Sequence, residues 1–321
     1  MATEGRELAY VSNSYGDTIS VIDTASAELI DTIPMDFGAK KVIPRWPEGE
    51  VEIANAPMNP TFTPDGRLLY VADSQGSNIA VIDPATNTVA EVIDLDMRPC
   101  DLAFTPDGER LVVTLIQASP YEGQGAVMVI DVATGKEVSR VVIGTNPEEV
   151  AITPDGTRAY AVGASLWAID VPTGEVLRDI WLPHHCYDAL ASPDGKRIYL
   201  SATFGSDKIV IVDTETNAVA GEIDVLMPCG MVISPDQGQM FVTNVYANSL
   251  QVVDLATDEV TATAPMAEIP CYIELTQDGS RAYICHPTSD SVTVVDTDSL
   301  EVVATIDVDA GPCAVAIGLV G

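Results

Sequence analysis

The sequence predicts an all-β protein, a seven-bladed β-propeller with four antiparallel strands per blade. The first observation is a repeat of about 40 residues, the length of one four-stranded blade. The second is a turn of similar sequence that recurs between short alternating strands. An apolar-apolar-Asp unit marks the repeat and ends at Asp23, Asp83, Asp131, Asp170, Asp213, Asp254 and Asp296.

The recurring turn has the form Ser/Thr-Pro-Asp-Gly. It stands at residues 63–66, 105–108, 153–156 and 192–195, with weaker copies at 234–236 and 277–279. Proline in the second position and glycine in the fourth are typical of a type I β-turn. The stretches after the turns alternate apolar and polar residues or are short apolar runs, which indicates strands.

Each repeat therefore contains a strand A that enters the turn, a strand B after it, a strand C that ends in the aspartate, and a strand D. The first repeat begins at strand B, at residues 8–11, and residues 311–317 look like a strand A with no partner after it. We expect this last strand to complete the first blade, because closure hides two sheet edges. Residues 1–321 are thus predicted to be one domain, with insertions near 35–55 and 115–125.

Three segments have sequences that resemble a known family. YVSN at 10–13, YVAD at 70–73 and FVTN at 241–244, each near an apolar-Asp unit and a Pro-Asp turn, resemble the YVTN-type β-propeller repeats. The resemblance covers essentially the whole chain and implies the seven-bladed fold. It implies little about function, because propellers of this kind include surface proteins, binding platforms and enzymes. Lactonases, virginiamycin-type lyases and copper oxidoreductases share the architecture.

The chain carries 48 acidic and 15 basic residues, a formal net charge of −33. We therefore expect neither nucleic acid nor an anionic membrane as a partner, since both require a cationic surface. The first residues contain no basic segment followed by an apolar one, so we expect a cytoplasmic protein, with a trimmed periplasmic protein as the alternative. A small-molecule substrate is the expected partner, and a protein partner on the loop face is also open.

Both insertions fall on one face of the predicted propeller, where strand D leads to strand A and strand B leads to strand C. Loops held by a rigid frame often carry function. The first insertion contains the substrate-binding candidates Lys40, Lys41, Arg45 and Trp46, and we interpret it as a lid that attracts a small anionic or sulfur-containing substrate. A solvated or rim-packing loop is the alternative. Further substrate-binding candidates on this face are Arg98, Tyr121 and His286.

A column of residues marks the start of strand A in each blade. A proline usually stands seven residues before the turn proline, and the residue after it defines the channel-mouth column. Its members are Cys313 in blade 1, Met58, Cys100, Glu148, Tyr187, Cys229, and Cys271 in blade 7. In blade 5 the proline is replaced by Cys186, directly after His184 and His185.

Thiolates, a thioether and imidazoles that face one cavity are soft ligands, which suit Cu(I) best and Zn²⁺ next. We therefore predict a copper site, with zinc as the alternative cofactor, in a propeller oxidoreductase or lyase. The predicted ligands are Cys229, Cys271, Cys313, Cys186, Cys100 and Met58. Cysteine also packs well as a small apolar residue, and duplication of one repeat would multiply it.

Two other hypotheses stay open at this point. A metal-free propeller lyase or lactonase would use His184, His185, Glu148 or His286 as acid and base. Asp188 and Tyr187 are further catalytic candidates on the same rim, where Asp101 and Glu149 also lie. A non-catalytic platform would instead bind a partner protein. The sequence has no G-x-S-x-G elbow, glycine-rich phosphate loop or dinucleotide fingerprint, which disfavours serine hydrolases of the usual kind, kinases and NAD enzymes.

Overall fold

The computed structural model describes residues 5–35, 41–45, 49–117, 124–202 and 205–321. These residues form seven four-stranded antiparallel sheets arranged in a ring, and one additional two-stranded hairpin. The predicted fold class is confirmed. No helix in the described part of the chain is long and apolar enough to cross a membrane.

The first four blades follow one another from the N-terminal side. Blade 1 contains β1 (Arg6–Asn13), β2 (Thr18–Asp23), β3 (Glu28–Pro34) and the last strand of the chain, β30 (Pro312–Val320). The inserted hairpin consists of β4 (Lys41–Pro44) and β5 (Glu50–Ile53). Blade 2 contains β6 (Pro57–Phe62), β7 (Leu69–Asp73), β8 (Asn78–Asp83) and β9 (Thr88–Asp94). Blade 3 contains β10 (Arg98–Phe104), β11 (Arg110–Ile116), β12 (Ala126–Asp131) and β13 (Lys136–Val142).

The remaining blades keep the same order. Blade 4 contains β14 (Glu149–Ile152), β15 (Arg158–Val162), β16 (Ser165–Asp170) and β17 (Val176–Trp181). Blade 5 contains β18 (Cys186–Ala191), β19 (Arg197–Ala202), β20 (Lys208–Asp213) and β21 (Ala218–Asp224). Blade 6 contains β22 (Pro228–Ile233), β23 (Gln239–Asn244), β24 (Ser249–Asp254) and β25 (Glu259–Pro265). Blade 7 contains β26 (Ile273–Leu275), β27 (Arg281–His286), β28 (Ser291–Asp296) and β29 (Val302–Asp307).

The ring is closed by β30, which pairs antiparallel with β1 and places Leu8 opposite Gly318 and Val11 opposite Val315. On its two sides β30 contacts β6 of blade 2 and β26 of blade 7. The last strand of the chain therefore completes the first blade, as the repeat count predicted.

The apolar core is divided among the spaces between neighbouring blades. Between blades 1 and 2, for example, Tyr10, Met35 and Leu69 are fully buried in one cluster. The Tyr10 hydroxyl extends through this cluster and donates to Asn87 Oδ1 over 2.8 Å. Because the packing lies between blades, the apolar core does not fill the centre of the ring. The centre is bordered by one inner strand from each blade: β30, β6, β10, β14, β18, β22 and β26.

The recurring turns have the geometry that their sequence predicts. In the first of them, the Gly66 amide donates to the Thr63 carbonyl over 2.8 Å, and Gly66 has a φ of 70° that favours glycine. In the turn between strands C and D of blade 5, Asp213 Oδ1 accepts from both the amide and the hydroxyl of Thr216, each at 2.7 Å. Much of the acidic composition is therefore turn chemistry repeated blade by blade.

Candidate functional site

Inner strands of the propeller carry β-bulges at the channel mouth. The pairing register shifts between Met58 and Thr61, and it shifts at the equivalent places in blades 3, 5 and 6. A bulge leaves residues unpaired and re-aims their side chains. In blades 3, 5 and 6 the column residue and the one after it both fall inside the bulge, whereas in blade 2 Met58 pairs with Ala72 and the bulge begins at Asn59. Two consecutive residues of such a blade can therefore face the channel.

Hydroxyl groups from the second strand of a blade satisfy the backbone of the bulge. The amides of Asp101, Asp188 and Gly230 donate to Thr114, Ser201 and Thr243 hydroxyls over 2.8, 3.0 and 2.9 Å. These buried hydroxyls stand where the ladder hydrogen bond is lost, and they replace it. The bulges are therefore fixed parts of the fold.

Five column residues line one cavity at the channel mouth, which we call the vestibule. It has a volume of about 620 Å³ and mostly apolar walls. The walls include Met58, Tyr187, Cys229, Cys271 and Cys313 from the column, together with Tyr15, Ile43, Val245, Tyr246, Ile269 and Tyr272. The structure thus brings together three of the six cysteines and the methionine that the sequence analysis singled out.

Cys229 and Cys271 both lie in the vestibule wall, and the contact of Cys229 with the Cys271 thiol, together with burial, raises the pKa of Cys229 well above its ordinary value. Gly230 makes the contact possible, because a Cβ there would lie 2.8 Å from the Cys271 carbonyl oxygen and 2.9 Å from Tyr272 Cα. Blades 6 and 7 therefore approach each other closely beside the vestibule.

We expect Gly230→Ala to lower the free energy of unfolding by about 1–3 kcal/mol, because backbone atoms must move to admit the methyl group. Urea denaturation measures the change. Gly221→Ala is the matched control, since a Cβ there meets only Ile211 Cδ1 at 3.9 Å. Equal stability of the two variants would contradict the close approach at Gly230.

Cys313 is held differently from the other two vestibule thiols. It accepts a hydrogen bond from Ser14 Oγ over 2.7 Å and donates to the Pro57 carbonyl, 3.4 Å away. Burial raises the pKa of its thiol to about 11. The group is therefore a protonated, backbone-anchored thiol at neutral pH.

The other predicted ligands lie outside the vestibule lining. Cys186, one of the predicted ligands, is fully buried in the apolar core between blades 4 and 5. Cys100 is buried near Glu149 and Asp101. Burial raises the pKa of its thiol well above the ordinary value, and the charges of these two carboxyls raise it further. Among the described residues no group of three or more Cys, His, Asp or Glu side chains is arranged to hold a metal ion. The copper site stays a prediction.

Glu149 forms a bridge across the channel below the vestibule. Its Oε1 accepts from Asn59 Nδ2 of blade 2 over 3.0 Å and from the Tyr272 hydroxyl of blade 7. Its carboxyl also shares a hydrogen bond with the Asp101 carboxyl of blade 3. Glu149 itself belongs to blade 4, so residues from four blades meet at one carboxyl group.

The shared hydrogen bond requires a proton between the two carboxyls. Burial, followed by the charges of Asp101 and Asp188, raises the pKa of Glu149 well above its ordinary value. Burial also raises the pKa of Asp101, although the Val150 amide donates a hydrogen bond to its Oδ2 over 2.8 Å. Because the charge of Asp101 adds to burial in raising the pKa of Glu149, the second ionisation of the pair is disfavoured, and we expect Glu149 to keep a proton at neutral pH.

Two tyrosines border this carboxyl pair. The Tyr187 and Tyr272 ring centroids are 6.0 Å apart with planes inclined at 59°. Burial raises the pKa of both phenols well above the ordinary value, so both remain protonated at neutral pH. Tyr272 lines the vestibule on one side and the next cavity along the channel on the other.

The next cavity, which we call the acidic chamber, has a volume of about 150 Å³. Its polar lining includes Asn59, Asp101, Glu149, Asp188 and Glu274. Burial raises the pKa of Asp188 and of Glu274 to about 7. Asp188 is among the catalytic candidates predicted from the sequence, whereas Asn59, Tyr272 and Glu274 are not. Counting one residue beyond the column would have found Asn59 and Tyr272.

The predicted histidines have partners at the rim. His185 Nε2 lies 3.8 Å from Glu148 Oε1, and burial raises the pKa of Glu148 to about 7. His184 Nε2 is 3.5 Å from Glu222 Oε1 on β21, so His184 turns toward the outer strand of blade 5. Neither histidine is among the residues that line the vestibule.

Two further candidates lie on the same face. His286 is fully buried at the end of β27, with Nδ1 3.0 Å from the Glu268 carbonyl oxygen. Arg98 begins β10 and lies opposite Ile116. Neither residue is part of the vestibule lining.

The inserted hairpin covers part of the vestibule. Lys41 Nζ donates to the Gln75 carbonyl over 2.9 Å, and Ile43 contributes to the vestibule wall. Arg45 Nη2 bonds both carboxylate oxygens of Asp290, at 3.0 and 2.9 Å, and its guanidinium is 5.8 Å from the Tyr15 ring centre. The two cations thus tie the hairpin to loops of blades 2 and 7. Lys40, Trp46 and Tyr121 lie outside the described residues.

The geometry defines a seven-bladed propeller whose channel contains an apolar vestibule above an acidic chamber. The chain belongs to the YNCE-like beta-propeller family, whose model matches residues 9–318. The propeller assignment made from the repeats is confirmed, while the finer resemblance to YVTN-type repeats stays a prediction.

Two solved structures show the same fold. Hydrazine synthase from Kuenenia stuttgartiensis superposes with a TM-score of 0.71 at 21% identity, over 80% of this chain and 88% of that chain. A functionally unknown protein from Desulfotomaculum acetoxidans DSM 771 superposes with a TM-score of 0.79 at 14% identity, over 98% of this chain and 99% of that chain. No curated protein matches the chain significantly. At these identities the likeness concerns the fold alone.

Proposed function

We propose that this protein is a propeller enzyme that binds a small uncharged substrate in the vestibule and removes a proton from it through Tyr272 and Glu149. The observation that carries the proposal is the position of the hydrogen-bonded Tyr272–Glu149–Asp101 group at the floor of an apolar cavity. A cavity of about 620 Å³ lies within the usual range for small-molecule sites. Perturbed titratable groups beside such a cavity favour a catalytic site.

The charge of the site favours a neutral substrate over the anionic one that the inserted cations suggested. Arg45 is engaged by Asp290, whereas the floor of the vestibule leads to carboxyl groups. An anion would meet the negative charge shared by Asp101 and Glu149. A neutral substrate avoids this repulsion and gains from the apolar walls.

The hydrogen bonds support a proton relay. When the carboxyl pair holds one proton, its remaining negative charge strengthens the hydrogen bond from the Tyr272 hydroxyl to Glu149. The Tyr272 oxygen can then accept a proton from a substrate C–H bond as its own proton moves to Glu149 and the proton already on Glu149 moves to Asp101. The C–H electron pair becomes a double bond, and a leaving group on the adjacent carbon departs with its bonding pair. The reaction class is therefore an elimination, which is lyase chemistry.

A turnover screen tests the proposal. Two panels are incubated with the protein, one of neutral carbonyl compounds with a β leaving group and one of neutral lactones, and products are identified by mass spectrometry. We expect turnover in the first panel. Turnover of lactones alone would indicate hydrolysis and contradict elimination. If no compound of either panel is turned over, the proposal that this protein is an enzyme is contradicted.

A soft-metal site is a second proposal, favoured by the thiol contact between Cys229 and Cys271. Copper, or zinc as the alternative, would bind this pair with a further ligand such as Met58 from the same cavity. Binding would release the thiol protons, so affinity would rise with pH. Elemental analysis of protein reconstituted with Cu(I) tests it: near-stoichiometric copper that is lost in Cys229→Ser supports the site, and less than about one-tenth equivalent contradicts it.

A further inference from the structure

Part of the polar lining of the acidic chamber is not used by the elimination chemistry. Asp188 and Glu274 lie in it, away from the Tyr272 hydroxyl bond to Glu149. Its volume of about 150 Å³ accommodates a few water-sized groups. None of the residues described as lining the chamber is a lysine, arginine or histidine.

Asn59 is one of the residues that line the chamber, and it has an unpaired acceptor. Its Nδ2 donates to the Cys100 carbonyl over 3.3 Å and to Glu149 Oε1 over 3.0 Å, so both amide hydrogens have partners. These bonds fix the orientation of the amide. Its Oδ1 is buried without a hydrogen-bond partner among the described residues, and the residue is only 6% exposed. A buried acceptor of this kind costs free energy unless a donor reaches it.

The carboxyl groups also have acceptor capacity to spare. Asp188 Oδ2 accepts from the Met231 amide over 2.9 Å, and Glu274 Oε1 accepts from the Leu275 amide over 3.0 Å. The Asp188 carboxyl also receives a hydrogen bond from the Ala189 amide, whereas the second oxygen of Glu274 has no protein donor described for it. The chamber therefore offers several acceptors and carboxyl charge, and none of its described lining residues is a cationic side chain that could neutralise that charge.

We propose that the acidic chamber binds a small ammonium group, either the free ammonium ion or the end of a primary amine. Such a group brings a positive charge and at least three N–H donors, which match Asn59 Oδ1 and the carboxyl oxygens. A metal ion is a poorer match, because the described carboxyls form no group of three arranged for a metal. The inference concerns a second site and does not depend on the elimination reaction.

Isothermal titration calorimetry tests this site at constant ionic strength in sodium buffer at pH 7. Ammonium chloride and methylammonium chloride are the probes, and potassium and tetramethylammonium chlorides are the controls that carry charge without N–H donors. We expect saturable binding of one ammonium group per chain and none of the controls. Tighter binding of ammonium identifies the free ion as the ligand, and tighter binding of methylammonium identifies an amine; both support the site.

Two variants locate the binding. Glu274→Gln keeps the side-chain volume, and Asn59→Gly removes the amide while tolerating the positive φ of 34° at this position. Each should weaken ammonium binding at least about tenfold, the loss of one charge-assisted hydrogen bond. Glu175→Gln, on an exposed turn, should bind as the native protein does. Equal binding of potassium and ammonium, or native affinity in both chamber variants, would overturn the proposal.

Discussion

Glu149→Gln is expected to lower kcat by about 10²–10⁴-fold on any compound that the turnover screen identifies, the usual contribution of a positioned acid–base group. The substitution conserves volume, and the amide oxygen can still accept from Asn59 and Tyr272. The glutamine side chain cannot take up a proton, so Tyr272 has no group to which it can transfer its own proton. Substrate binding should change little, since Glu149 lies below the vestibule walls.

Tyr272→Phe examines the same relay from the vestibule side. It removes the hydroxyl that donates to Glu149 and keeps the ring that packs near Tyr187. We expect kcat to fall while KM stays within a few fold. Glu175→Gln is the control for the general effect of losing one acidic residue. A folded Glu149→Gln protein with native kcat would contradict the role of Glu149.

The free energy of unfolding is expected to fall as pH rises from about 4.5 to about 7, and then to level off. Glu148, Asp188 and Glu274 have pKa values of about 7 in the folded protein because burial disfavours their ionised forms. Their unfolded pKa values are near 4. The folded state therefore holds more protons in this window, and raising the pH favours the unfolded state.

The size of the effect can be bounded for one carboxyl. A rise of the Glu274 pKa from 4.5 to about 7 corresponds to a change of up to about 3 kcal/mol. Turn aspartates act in a different range: hydrogen bonds from Thr216 lower the pKa of Asp213, so their stabilisation is lost only in more acidic solution.

Urea denaturation at pH 5 and pH 8 measures the dependence. The native protein should be more stable at pH 5, and Glu274→Gln should show a smaller difference, because glutamine does not titrate. Greater stability at pH 8 than at pH 5 would contradict the claim that ionisation of these buried carboxyls destabilises the folded protein. Repulsion among the surface charges acts in the same direction, and the comparison with Glu274→Gln separates the two contributions.

The fold follows from local patterns that recur in each blade. Short alternating strands, the Pro-Asp turns and the apolar-Asp units predict the blade count, and the unpaired strand at 311–317 predicts the pairing of β30 with β1. The column counted from the turn prolines also predicts much of the vestibule. Met58, Cys229, Cys271 and Cys313 share one cavity because a repeated register places equivalent residues at the same height in a ring.

The floor of the site depends on contacts that no local pattern contains. Tyr272 and Glu149 are 123 residues apart, and their hydrogen bond crosses the channel, so it depends on the diameter of the ring. The bulges turn a second residue per blade toward the axis, which strict alternation along a strand would point away. Cys186 occupies the proline position of its blade and packs outward into the core.

The protonation of Glu149 is the central claim, and ¹³C NMR of protein labelled at the glutamate carboxyl carbons measures it directly. Comparison with Glu149→Gln assigns its resonance. We predict a resonance that is absent from the variant and keeps the chemical shift of a protonated carboxyl through neutral pH, in accord with a pKa raised by burial beside Asp101. A Glu149 resonance that titrates in the ordinary range near pH 4 would contradict the account.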